Sequence, residues 1–121
     1  MPFVLLAHAI NVVVLALVLR GLWADSATMA AAYGPDGPAR RILACVYGAI
    51  LFMSLAALVY AAVTRLAAPV PFLWVSFALF AVQIVYKLAT AFVANPVVAA
   101  NLLIVATHGV ACVALVLALR A

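Results

Sequence analysis

Residues 70–93 read VPFLWVSFALFAVQIVYKLATAFV, a run with one basic residue, Lys87, and no acidic one. As a helix rising 1.5 Å per residue it extends about 36 Å, enough to cross a hydrocarbon core of about 30 Å. In lipid every backbone N–H and C=O must be paired within the chain, so a helix is the conformation open to such a run. A transmembrane strand would be about half as long and would alternate in polarity, and this run does not alternate. Its polar exceptions are Ser76, Gln83, Lys87 and Thr90. Their spacing puts them on one stripe of a 3.6-residue helix.

Three more runs of this kind lie at residues 2–22, 42–64 and 96–119. Across the 121 residues, 74% are hydrophobic and 7% charged, with a mean hydropathy of +1.46. A soluble domain carries about 25% charged residues, and a chain this short buries only about 60–70% of its surface on folding. The solvent for this surface is therefore the lipid bilayer. The reading is an all-α integral membrane protein: a single domain over residues 1–121, folded as an up-down bundle of four transmembrane helices with short connections. The start Met1-Pro2-Phe3-Val4 has no basic residue, and the run exceeds a signal-peptide core, so the first run is read as a retained span.

The connections are marked by Gly34-Pro35-Asp36-Gly37-Pro38, by Pro69 and Pro71, and by Asn95-Pro96, with Pro96 suited to a first helical turn. The polar loop 24–39 is the only sizeable part outside the spans. Within it, Asp25 or Ser26 can cap a short helix ended by Gly34. Both carboxylates of the chain, Asp25 and Asp36, lie in this loop, near Arg40 and Arg41. Trp23, Tyr33, Tyr47, Trp74 and Tyr86 fall toward the ends of runs, as interfacial aromatics do.

The net charge of +4 comes from basic residues scattered singly or in pairs. They form no basic stripe, and no nucleic-acid partner is expected. An even number of spans puts both termini on one face, the terminal face; the first and third connections lie on the other, the loop face. Arg20, Arg40 and Arg41 gather at the loop face, with Lys87 within reach, against Arg65 and Arg120 at the terminal face. The positive-inside rule then places the loop face in the cytoplasm and both termini outside. The Ala-, Val-, Leu- and Arg-heavy composition suggests a GC-rich bacterial genome and hence a bacterial inner membrane. Cys45 and Cys112 lie about 20 Å apart in depth by the helical rise, beyond disulfide reach.

Polar residues in a lipid core face the protein interior as a rule. Asn101, His108 and Cys112 share a face of the fourth helix, His8 and Asn11 of the first, and Tyr47, Ser54 and Ala61 of the second. Counted from the terminal face, Asn11, Ser54, Gln83 and His108 all fall about 13–20 Å deep. They make a mid-membrane polar layer drawn from every span. Hydrogen bonding between helices accounts for such residues at about 0.6 kcal/mol each. Ionisable intramembrane groups mark function more often.

The leading functional expectation is transport or channel-like passage of a small neutral or anionic solute, bound by Gln83, Lys87, His108, Asn11 and Ser54. All of these carry a donor. In size and span number the chain is similar to small multidrug transporters and small fluoride channels, a resemblance of architecture alone. Proton-coupled transporters of that kind rely on a membrane-embedded glutamate, and no span here holds a carboxylate. A second reading is a haem ligated axially by His8 and His108, or a chlorophyll-type pigment ligated by one of these two histidines. A third is a homo-oligomer or a non-catalytic accessory subunit of a larger membrane complex. No HExxH, no paired intramembrane acids and no Ser-His-Asp set are legible, so catalysis and a metal site are not expected. His108 and Cys112, one turn apart, read as a neutral histidine beside a buried thiol rather than an activated pair.

Overall fold

A computed structural model describes residues 1–65, 69–93 and 99–120. The chain forms α1 (Pro2–Trp23), α2 (Ala27–Tyr33), α3 (Pro38–Val63), α4 (Val70–Val93) and α5 (Ala99–Arg120). Helices α1, α3, α4 and α5 are long and apolar enough to span a membrane. The protein is an all-α, multi-pass membrane bundle. The reading of Asn95-Pro96 as a break, and of residue 96 as the start of the last span, lies outside the described residues.

The helix starts follow from local chemistry. Pro2 and Pro38 open α1 and α3, where a missing N–H leaves no bond unmade. The sequence placed the second span at residue 42; Pro38 begins the helix earlier and draws Arg40 and Arg41 into its first turn. Ser26 caps α2 by accepting from the Met29 N–H at 3.3 Å, and Gly34 ends it at φ 81°. At ψ 176° this is extended backbone at positive φ, open at no steric cost to glycine. Helix α2 lies close over the end of α1 because Gly21 has no side chain: a Cβ there would sit 2.6 Å from Met29 Cγ.

In the bundle α1 packs extensively on both α3 and α5, and α4 packs on α5. The α3–α4 seam is the loosest of the four, although those helices are consecutive in the chain. The inward faces form two apolar clusters. One, toward the terminal face, includes Val4, Ala7, Phe72, Phe80, Ala111 and Leu115. The other, toward the loop face, includes Leu15, Val18, Leu22, Ala44 and Ile50. Large apolar side chains such as Leu17, Phe52, Val85 and Leu117 point outward, as expected where the surroundings are lipid.

A candidate polar column in the bundle interior

Every long helix turns one polar stripe inward. Buried on α1 are His8 and Asn11, on α3 Arg40 and Ser54, on α4 Ser76, Gln83 and Lys87, and on α5 Asn101 and His108. The helical rise puts these side chains in register between helices. His8 and Ser76 both lie about 9 Å from the terminal face, and Asn11 and Ser54 about 14 Å. His108 and Gln83 follow at about 18–20 Å, and Lys87 and Asn101 at about 26–29 Å. Matching depth becomes bonding. His8 Nε2 lies 3.1 Å from Ser76 Oγ, Asn11 Nδ2 donates to Ser54 Oγ at 3.1 Å, and Lys87 Nζ donates to Asn101 Oδ1 at 2.7 Å.

The flat mid-membrane layer read from the sequence is thus a ladder with rungs at successive depths. Asn11 and Ser54 meet directly, whereas Gln83 and His108 make no bond to that pair among the described residues. Gln83 is fully buried, and neither its amide nitrogen nor its amide oxygen has a hydrogen-bond partner. His108 Nδ1 lies 3.3 Å from Thr107 Oγ1, while its Nε2 is unpartnered; His8 Nδ1 and Asn11 Oδ1 are unpartnered as well. A buried polar atom without a partner carries a desolvation penalty of about 1–3 kcal/mol. This concentration over three successive rungs, about 9–20 Å deep by helical rise, is therefore unusual for a packed interior.

At the loop-face end, Lys87 does not reach out to the headgroups; it is 2% exposed. Its ammonium lies 5.0 Å from the ring centroids of both Tyr47 and Tyr86, within cation–π range. Tyr47 and Tyr86 are therefore not the interfacial anchors that their places toward the ends of the runs suggested; Tyr47 follows the inward stripe it shares with Ser54 and Ala61. Tyr47 is buried and Tyr86 half-buried, because both lie against this cation. Tyr33 of α2 packs edge-on against Tyr47 at 6.1 Å. Thr90, which shares the α4 stripe, donates its hydroxyl to the Lys87 carbonyl at 2.8 Å, within its own helix.

Lys87 has no carboxylate to pair with. Arg40 donates to Asp25 at 2.5 Å and lies 3.9 Å from Asp36, and Arg41 pairs with Asp36 at 2.7 Å. These are the only two acidic side chains in the sequence. Arg40 is buried and also donates to the carbonyls of Leu22 and Gly34, at 3.2 and 3.0 Å. It pins the end of α1 and the loop to the start of α3. Asp25 sits in the left-handed region at φ 47°, which an aspartate tolerates better than most residues. The Arg41 guanidinium beside Asp36 holds that exposed carboxyl below its ordinary pKa of 3.8. Desolvation raises the Tyr33 phenol above its ordinary value of 10.0.

The two histidines do not face each other. Phe80 lies between them, its ring centroid 4.6 Å from His8 and 4.5 Å from His108. A haem or chlorophyll-type macrocycle ligated by both imidazoles needs the space Phe80 fills, so the pair does not fit such a group. Among the described residues no group of three His, Cys, Asp or Glu side chains converges as metal ligands. Cys45 faces outward and Cys112 is half-buried; both are free thiols.

Sequence spacing pointed to Asn11, Ser54, Gln83, Lys87 and His108. It passed over Phe80 and Tyr86, which look like ordinary apolar and interfacial residues, and placed Tyr47 on the inward stripe without its partner Lys87. It also left Asn101 without its role as the acceptor for Lys87. What defines the chain is thus a class: a four-span helical membrane protein with a polar column. No protein-family model, no curated protein and no solved structure matches it.

Proposed function

We propose that the chain binds a small anionic or neutral polar solute inside its bundle and passes it across the membrane. The observation that carries this reading is Lys87, a buried ammonium in a chain whose two carboxylates are both engaged by arginines. An isolated charge within a membrane is costly. One amide oxygen and two ring faces compensate it only in part, and an anion or the negative end of a dipole completes the compensation. Gln83, one turn deeper, adds donors and an acceptor, followed by His108 Nε2 and the Asn11–Ser54 pair. Apolar clusters lie toward both ends of the column. This favours an occluded site opened to one side at a time over a standing pore.

Flux into liposomes tests the proposal, with small inorganic anions as one probe set and glycerol and urea as the other. Lys87→Leu abolishes flux of the transported class and Arg120→Leu leaves it intact. Flux unchanged in Lys87→Leu, or none of either class above protein-free liposomes, overturns it. For location, we infer a bacterial inner membrane with both termini outside. Arg20, Arg40 and Arg41 lie toward the loop-face end of the spans, opposite Arg65 and Arg120, and basic residues favour the cytoplasm. A carboxy-terminal alkaline phosphatase fusion is then active; activity only of a cytoplasmic reporter at that terminus reverses the assignment.

A further inference from the structure

We propose that the loose seam between α3 and α4 is a binding site for a neutral, lipid-soluble ring carbonyl of the quinone class. Its head rests on the His8–Ser76 pair and its tail lies in the bilayer. This does not depend on solute passage, since Gln83, Lys87 and His108 take no part in it.

The seam encloses a groove of about 520 Å³, within the range of about 300–1,000 Å³ usual for small-molecule sites. Its walls include Met53, Ala57 and Tyr60 from α3 and Phe72, Val75 and Leu79 from α4, with Pro69 and Pro71 also lining it. Met53, Tyr60 and Val75 are exposed on the outer surface of the bundle, so the groove opens sideways into lipid. An apolar groove of this kind would by itself accept any acyl chain.

The polar groups of the groove narrow the choice. His8 reaches it from α1 behind the seam and lies 3.1 Å from Ser76, which also lines it. His8 Nδ1 has no partner, and its ring is fully buried. A neutral imidazole carries one N–H and one lone pair. His8 Nδ1 is sealed from the groove, so Ser76 is the end of the pair that meets a ligand. If Nε2 donates to Ser76, the serine hydroxyl donates to the ligand; if Ser76 donates to Nε2, the serine oxygen accepts from the ligand, and switching tautomer exchanges the two roles. That suits a ligand whose head alternates between carbonyl and hydroxyl, as a quinone and its quinol do.

Two further features favour a neutral ring over a charged head. Among the described residues no Lys, Arg, Asp or Glu lines the groove, so a phospholipid headgroup finds no counter-charge there. Tyr60 and Phe72 stack with planes 18° apart and centroids 5.6 Å apart, giving a flat aromatic wall for a planar ring beside the small Ala56 and Ala57.

The test uses the full chain in lipid nanodiscs with a photoactivatable azido-benzoquinone carrying a short alkyl tail. Label should map by mass spectrometry to peptides within α3 and α4 and be displaced by unlabelled decyl-benzoquinone. Ser76→Ala should weaken apparent affinity about three- to tenfold, the worth of one hydrogen bond. Ala57→Trp should fill the groove and remove the label, with Val75→Trp at the rim as a second blocking variant should the first not fold. Lys87→Leu, which stops solute flux, should leave labelling unchanged, so the two proposals fail separately. Label scattered over all four spans, or displaced by oleic acid but not by the quinone, overturns the proposal and leaves a groove that holds acyl chains only.

Discussion

Gln83→Met separates a functional residue from a structural one. Gln83 is fully buried with both amide atoms unpartnered, so in this state the amide contributes desolvation cost and no compensating bond. Methionine is of similar length, carries no strong polar atom and adapts its shape to the gap. Removing the penalty of an unsatisfied buried group stabilises the bundle by about 1–3 kcal/mol, or roughly 5- to 150-fold in the folding equilibrium. The assay is reversible unfolding in mixed bicelles, followed by circular dichroism, with liposome flux measured in parallel. Gln83→Met is expected to be more stable than the parent and to lose flux. Ser54→Ala is the contrast: it loses the bond that Asn11 Nδ2 donates at 3.1 Å, removes no unpartnered atom, and is expected to be less stable by about 0.6 kcal/mol, the average for interhelical bonds in membranes. A less stable Gln83→Met would mean that the amide is structural glue, and unchanged flux would remove it from the solute path; either result refutes the reasoning.

Arg40→Ala takes a charged donor from the Leu22 and Gly34 carbonyls and should destabilise by about 2 kcal/mol or more, with faster proteolysis of the loop. Arg41→Ala, an exposed position, should leave the unfolding midpoint where it was. Gly21→Val places a side chain where Met29 Cγ stands 2.6 Å from a Cβ; it should displace α2, cost about 1–3 kcal/mol, and appear as protease sensitivity within α2 and a lowered melting point. The Asp36–Arg41 pair should persist above the ordinary carboxylate pKa of 3.8 and be lost as pH falls through the depressed value, because the folded-state pKa lies below the unfolded one. Carboxyl-carbon NMR titration reads this, and Arg41→Ala should move the Asp36 transition upward.

The spans were legible because lipid leaves a chain few options: length, hydropathy and the absence of acids decide between helix and nothing. The polar stripes were legible for a related reason. In the run from Val70, the positions of Ser76, Gln83 and Lys87 already place them on one face, and the bundle turns that face inward. Which residue meets which was not legible, because it depends on helix neighbours and relative depth. His8 finds Ser76 of α4 rather than His108, since those two lie at the same level and Phe80 intervenes. Tyr86 carries the sequence signature of a headgroup anchor, and only the position of the Lys87 ammonium shows why it turns in; Tyr47 shares a stripe with Ser54, but its partner was not legible. The reach of Pro38 was underestimated because Arg40 and Arg41 resemble loop charges. Arg40 is instead buried in the first turn of α3, satisfied by two carbonyls and a carboxylate.

The place of Lys87 along the membrane normal also has an electrical consequence. It lies about 26 Å along a helix of about 36 Å by helical rise, roughly three quarters of the way through the span from the terminal face. If anions pass as proposed, one reaching Lys87 from the loop face crosses roughly a quarter of the transmembrane voltage, and one arriving from the terminal face roughly three quarters. With a full crossing worth about 2.3 kcal/mol per charge per 100 mV, occupancy should respond about three times more steeply to membrane potential when filled from the terminal face than from the loop face. The bundle would thereby rectify without any moving voltage sensor.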